Sequence, residues 1–230
     1  MEKIGLIGGL SWRSTVEYYS RINTQVNLHY GDNTNPPLRI ININQREMHD
    51  LQRNNDWDTI AKIIISASKE LQAVGVECLA ICASTPHKVV DQVQDVVTIP
   101  ILHIADAVGS FLRERKIDFV GLLGSRFTMS EDFIKLRLFT KNKIKTIVPN
   151  LDAQNEIQKR LYEELSIGVF NSQTRQFFVK EIENMAIQGA QAVILGCTEF
   201  PILLEKEHCS IPLIDSIDIH CDAIVKYILG

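Results

Sequence analysis

Short apolar runs alternate with longer stretches of helical character along the whole chain. The short runs occupy 3–7, 38–43, 76–82, 98–102, 119–123, 144–148, 192–195 and 211–214. Most are near-continuously apolar, as expected of strands covered on both faces; a strand with one wet face would alternate. The helical stretches lie at 15–28, 57–74, 106–115, 130–140, 155–165, 174–188 and 218–229. This alternation predicts an α/β fold, with mainly parallel sheets flanked by helices. No linker rich in Pro, Gly or Ser interrupts it, so two domains would be tightly joined.

A second pattern is laid over the first. The segment GVECLAICAST at 75–85 matches GAQAVILGCTE at 189–199 without gaps, at an offset of 114 residues. The run at 99–102 matches the one at 211–214 (offset 112), and IGLIGG at 4–9 matches VGLLGS at 120–125 (offset 116). Three matches in one order, at nearly one offset, read as a duplication that gives two similar, pseudo-twofold related lobes. Ligands of open parallel sheets bind beyond the carboxyl ends of the strands. A site in a cleft between the lobes is then expected to be lined by Gly8, Gly9, Ser84, Thr85, Gly124, Ser125, Cys197 and Thr198. Ala83 would face Cys197 across it.

Composition narrows the classes of function. A chain of 230 residues is long enough for one or two domains with a real core. Hydrophobic residues at 45% and charged residues at 23% exclude extensive disorder. With 24 basic against 28 acidic residues, the net charge of −4 leaves no electrostatic footprint for nucleic acid or an anionic membrane. No apolar run approaches the roughly 20 residues of a membrane span. The apolar run at the N-terminus is too short for a signal peptide and is preceded by Glu2, so a cytoplasmic location is expected. Cys78, Cys82, Cys197, Cys209 and Cys221 are odd in number and form no C-x-x-C pair, against a disulfide framework or a zinc ribbon. His87, His103 and His220 lie at predicted strand ends or helix starts, and none has metal-ligand spacing with another. Capping or supporting roles are expected of them.

Candidate chemistry gathers at the strand ends. In LGCTE at 195–199, an apolar strand runs into Gly196, then a thiol, a hydroxyl and a carboxylate. A helix starting there would favour a Cys197 thiolate, and Thr198 could cap it or bind a substrate carboxylate. Cysteine is also among the commonest buried residues, and Cys78, Cys82, Cys209 and Cys221 read as packing. The turn GGLSWRST at 8–15 follows a strand and offers N–H groups and hydroxyls to a carboxylate or phosphate. It is neither G-x-G-x-x-G nor a Walker loop, so a nucleotide is not indicated, and a plain capped turn remains an alternative. Gln52 and Arg53 could form a fork for a distal carboxylate.

Five segments, taken together, resemble the aspartate/glutamate racemase family over nearly the whole chain. They are Ile4–Gly9, Thr85-x-His87, IPxLHIxDA at 99–107, GSRxTM at 124–129 and GAxxVILGCTE at 189–199. The resemblance implies two α/β lobes with the site between them, and a C-terminal helix that returns to the first lobe. The lobes would comprise 1–98 plus 208–230, and 99–207. It also implies cofactor-independent racemisation of an acidic or related small amino acid, without pyridoxal phosphate or metal, by a homodimer. Two cysteines on opposite faces of the α-carbon would each exchange a proton with it. Cys197 matches one of them. The other falls in a motif that usually reads Cys-Asn-Thr, and here the matching residues are Ala83-Ser84-Thr85. Cys82 is one step away, which on a strand turns a side chain to the other face. On this reading Ser84, Thr85, Thr198 and the Gly8/Gly9 N–H groups bind the α-carboxylate. Ser11, Trp12, Gln52 and Arg53 contribute to side-chain recognition, and Glu199 belongs to the binding set. Ala83 leaves two alternatives open: a silent amino-acid-binding protein, or a one-cysteine lyase or isomerase.

Overall fold

The computed structural model describes residues 1–230, the side chain of Lys206 excepted. The chain forms two compact units. Unit 1 holds Met1–Ile104 and Asp218–Gly230, and unit 2 holds Ala105–Ile217.

Unit 1 carries β1 (Ile4–Gly8), α1 (Trp12–Tyr30), β2 (Leu38–Asn42), α2 (Gln45–Arg53), α3 (Trp57–Ala73), β3 (Cys78–Ile81), α4 (Val90–Gln94) and β4 (Ile101–Leu102). The strands pair in parallel in the order β2-β1-β3-β4. Unit 2 carries α5 (Ile104–Glu114), β5 (Phe119–Leu123), α6 (Arg126–Ser130), α7 (Lys135–Asn142), β6 (Lys145–Ile147), α8 (Leu151–Glu163), α9 (Ser172–Ile187), β7 (Ala192–Leu195), α10 (Phe200–Leu203) and β8 (Leu213–Asp215). Its sheet is also parallel, in the order β6-β5-β7-β8. The last helix, α11 (Ser216–Leu229), begins at the end of unit 2 and continues into unit 1.

The internal repeat extends to the hydrogen-bond register. Ile4 stands beside Cys78 in unit 1, and Val120 beside Ala192 in unit 2. Leu79 stands beside Ile101, and Val193 beside Leu213. Each second pair is the first pair moved by the offsets read from the sequence. Because one step of slip would turn every side chain to the other face, matched register means matched inward-facing positions. Central strands β1, β3 and β7 are buried along their whole length, whereas edge strand β2 is half exposed. Near-continuous apolar runs therefore predicted the central strands well.

Each unit has its own core. In unit 1, Ile7, Leu79 and Ile81 of the sheet pack with Met48, Ile60, Ile64 and Leu71 of the covering helices. In unit 2, Leu123, Val193 and Leu195 pack with Ile157, Phe178, Ile182 and Phe200. Fully burying one such side chain is worth about 1.5–3 kcal/mol, and several per helix outweigh weak local propensity.

The unit boundaries differ from the sequence expectation of 1–98 plus 208–230. The chain crosses at 104/105 and 217/218 because β4 pairs with β3 and β8 pairs with β7, so each short strand stays with its sheet. The helix expected at 130–140 is broken into α6 and α7. Helix α2 was missed, although Asn44 followed by Glu47 is a start signal. The Asn44 side chain accepts from the Arg46 N–H at 3.0 Å and caps that helix.

Candidate active site

The carboxyl ends of the strands in each unit carry most of the residues singled out from the sequence. In unit 1, β1 runs into Gly8-Gly9. Gly9 has φ +76, and a Cβ there would lie 2.0 Å from the Ile43 carbonyl oxygen, so glycine is required. A Cβ on Gly8 would lie 2.5 Å from the Thr15 side chain. The counterpart Gly124 stands in the same relation to Thr128, at 2.8 Å. Close approach of strand end and helix start is thus built into both repeats.

The hydrogen bonds of this turn correct one expectation. The Gly9 N–H donates to Thr15 Oγ1 at 2.9 Å, and Thr15 Oγ1 donates to the Ser11 carbonyl at 3.1 Å. Ser11 caps α1 by accepting from the Ser14 N–H at 3.4 Å, and the Trp12 N–H donates to Gln45 at 3.2 Å. The Gly9 donor expected to hold a carboxylate is therefore engaged within the turn. Trp12 is 55% exposed, with the Arg13 guanidinium 4.8 Å from its ring centroid. Gln52 is half-buried and Arg53 exposed, both in the last turn of α2. Arg53 pairs with Asp50, one turn back.

Beyond β3, Ala83, Ser84 and Thr85 are all half-buried and lead into a 3₁₀ turn, Thr85–Val89. The Ala83 methyl packs against the unit 1 core. Cys82 is fully buried, and burial drives its thiol far above the usual range, so it does not stand in for a thiol at 83.

In unit 2, β7 runs into Gly196-Cys197-Thr198-Glu199. Cys197 is half-buried. A Cβ on Gly196 would lie 2.8 Å from the Leu123 carbonyl oxygen, so the strand end passes close to β5. Thr198 is buried, and its hydroxyl meets Glu199 Oε2 at 3.1 Å. Burial pushes the Cys197 thiol well above its ordinary value, and the Glu199 carboxylate pushes it further. A hydrogen bond from the Ser125 backbone opposes both without prevailing. The expectation of a thiolate favoured by a helix start is overturned. The helix here, α10, has only 4 residues, and its cap position is the carboxylate Glu199. A short dipole facing a negative charge cannot offset desolvation. Cys197 is thus a neutral thiol near pH 7.

The other thiols stand apart from this chemistry. Cys78 is pushed up to about 11 by burial, as is Cys209, where Glu183 adds to the effect. Among the described residues, no group of three or more His, Cys, Asp or Glu could hold a metal ion. No helix among them is long and apolar enough to cross a membrane.

Residues 7–224 match the sequence profile of the Asp/Glu/hydantoin racemases. The chain belongs to that family. A Yersinia pestis crystal structure, described as a candidate Asp/Glu racemase, superposes with a TM-score of 0.95 at 35% identity over 100% of both chains. An aspartate racemase homologue from Pyrococcus horikoshii OT3 gives a TM-score of 0.86 at 33% identity, again over 100% of both. A Hydrogenobaculum glutamate racemase is 28% identical over 151 residues, which are 65% of this chain and 56% of that protein. The resemblance read from the strand-end motifs is thus the family itself, and the two four-stranded parallel sheets are its two-lobed fold.

Proposed function

We infer that this Asp/Glu/hydantoin racemase family member acts on a small acidic amino acid, without a cofactor, through a single thiol, Cys197. One observation carries the reading. The Cys197 turn is kept in the second repeat, while its counterpart in the first bears Ala83. The thiol at 197 exchanges the α-proton on one face of the substrate. As a base, its thiolate takes the α-proton and leaves the electron pair delocalised into the substrate carboxylate. Inversion also needs a proton donor on the other face of the carbon, and the first-repeat counterpart of Cys197 is Ala83, which has none to give. Water beside Ser84 and Thr85 supplies it slowly, because neither hydroxyl is a good acid near neutral pH.

The substrate is expected to activate its own base. Its α-ammonium brings a positive charge that offsets Glu199, the carboxylate that disfavours the Cys197 thiolate. The hydroxyls of Ser84, Thr85 and Thr198 receive the α-carboxylate. Since a positioned acid or base is worth about 10²–10⁴ in rate, inversion should be slower by that factor than in a two-thiol site. Free enantiomers have equal energies, so the end point is still a racemic mixture.

Ala83 also favours a second reading, a binding protein that holds an amino acid without turning it over. Proton NMR in deuterium oxide with L- and D-aspartate, L- and D-glutamate and L-homoserine separates the two. Loss of the α-proton signal that disappears in Cys197→Ser supports the thiol reading. Ala83→Cys should then raise inversion, read by chiral chromatography, by about 10²-fold or more. Saturable binding without any exchange, in the wild type and in Ala83→Cys alike, would sink it in favour of the binder.

A further inference from the structure

Beneath the Ala83 turn lies a buried polar network that this chemistry does not use. His87, His103 and His220 are 3%, 3% and 0% exposed, and Tyr18 is 0% exposed. The His87 ring centroid is 4.5 Å from that of His103 and 5.8 Å from that of His220. Backbone partners fix where two of the protons sit. The Ile104 N–H can only donate, and it points at His87 Nε2 from 3.3 Å. His87 Nε2 therefore carries no proton. The proton of this neutral ring is on Nδ1, which donates to the Ala83 carbonyl at 2.8 Å. His220 is the opposite tautomer. Its Nε2 faces the Leu102 carbonyl at 2.9 Å and must donate, while its Nδ1 accepts from the Tyr18 hydroxyl at 2.7 Å.

The two ends of the His87 bridge are informative places. Ala83 opens the turn that carries Ser84 and Thr85. Ile104 is the last residue of unit 1 before the chain crosses to unit 2. We propose that His87 is a positioning residue: its Nδ1–H tautomer fixes the backbone of position 83, and so the Ser84-Thr85 hydroxyls, while its Nε2 ties that turn to the start of α5. The proposal rests on the reading of this turn as a substrate-carboxylate site. Burial alone requires that both ring nitrogens find partners; what singles out His87 is that those partners are the backbone of position 83 and the start of α5.

Two amide substitutions separate positioning from packing. In His87→Asn, the amide nitrogen reaches the place of Nδ1 and keeps the bond to Ala83. In His87→Gln, the amide reaches the place of Nε2, so the Ile104 partner is kept and the Ala83 partner is lost. L-Aspartate affinity by calorimetry should fall about tenfold in His87→Gln and less than about threefold in His87→Asn, at similar losses of Tm. Long-range ¹H–¹⁵N spectra of the wild type at pH 7.5 should show His87 protonated on Nδ1, the minor tautomer of free imidazole side chains. Equal affinities of the Asn and Gln variants, or an Nε2-protonated His87, would overturn the role of His87 alone. Wild-type protein that neither binds L-aspartate nor exchanges its α-proton overturns the amino-acid reading, and this role with it.

Discussion

The two units share strand order and register, yet their strand ends rest on opposite kinds of material. In unit 1, the ends of β3 and β4 are followed by a buried group of His87, His103, His220 and Tyr18. Moved by the repeat offsets, those histidines become Pro201, Asp215 and Val108. Unit 2 ties its strand ends differently: the Ser216 hydroxyl donates to the Leu195 carbonyl at 2.7 Å, and the Ser125 backbone bonds Cys197. The strand-end residues at 83 and 197 differ the other way. Unit 2 keeps the thiol, and unit 1 has the methyl of Ala83. A repeat can thus preserve strand order and register while its two copies diverge in the residues at the strand ends and in what packs beneath them.

The largest test of this asymmetry is at the first turn. Gly9 and Ser125 are counterparts, but only Gly9 has positive φ and the Ile43 backbone against it. Gly9→Ser should cost about 4 kcal/mol or more, a fall in Tm of about 10 °C or complete failure to fold. Ser125→Gly should cost only about 0.5 kcal/mol, the loss of a helix cap. Equal effects in a thermal melt would mean that the two turns are not built differently after all.

Acid comes next. Burial lowers the pKa of His220 from 6.5 to about 4, and its bond to the Leu102 carbonyl only partly opposes this. The unfolded chain therefore binds a proton that the folded chain refuses. Stability is full above pH 6.5 and falls as pH drops from 6.5 towards 4, by up to about 3 kcal/mol. Urea midpoints across that window should show the slope, and hydrogen exchange at pH 4.5 should rise first in unit 1. An unchanged slope in His220→Gln would assign the acid sensitivity elsewhere.

The thiol in unit 2 gives a smaller effect. With the Cys197 pKa well above 9, its thiolate fraction rises tenfold per pH unit. Site-resolved alkylation by iodoacetamide should follow that slope from pH 7 to 9 without levelling. Glu199→Gln should speed it by about three- to tenfold by removing the neighbouring charge. Faster reaction in the wild type than in the variant would reverse the electrostatic picture.

The smallest effect belongs to the ion pair that ties α5 to α7. Burial raises the Asp106 carboxyl, but bonds from Arg137 and Lys141 prevail and hold it below its ordinary value. Arg137 Nε and Nη2 donate to its two oxygens at 2.6 and 2.7 Å, and Lys141 Nζ donates at 3.0 Å. Half-exposed and open to salt, this cluster should cost about 1 kcal/mol in Arg137→Leu, less at high ionic strength. A loss of 3 kcal/mol would show that α5 depends on it as unit 1 depends on its histidines.

Local chemistry made part of this molecule readable from its sequence. Fully covered strands must be apolar throughout, so β1, β3, β5 and β7 stood out, and the offsets between them carried the strand register. The same offsets set Ala83 against Cys197 as counterparts. What escaped were features that depend on neighbours distant in the chain. The boundaries moved to 104/105 and 217/218 because two short strands pair with sheets that one-dimensional periodicity cannot see. The Gly9 N–H was lost to ligand binding because Thr15, six residues on, folds back onto it. The Cys197 thiol is neutral because burial and Glu199 outweigh a helix of 4 residues, a balance of desolvation and charge that no residue type announces. A capping or supporting role was all that the sequence offered for His87; only the fold brought Ile104 to one ring nitrogen and Ala83 to the other. Sequence determined which residues repeat and which faces are buried, because those follow from neighbours along the chain. Tertiary structure decided protonation and donor availability, because both are set by what lies within a few ångströms in space.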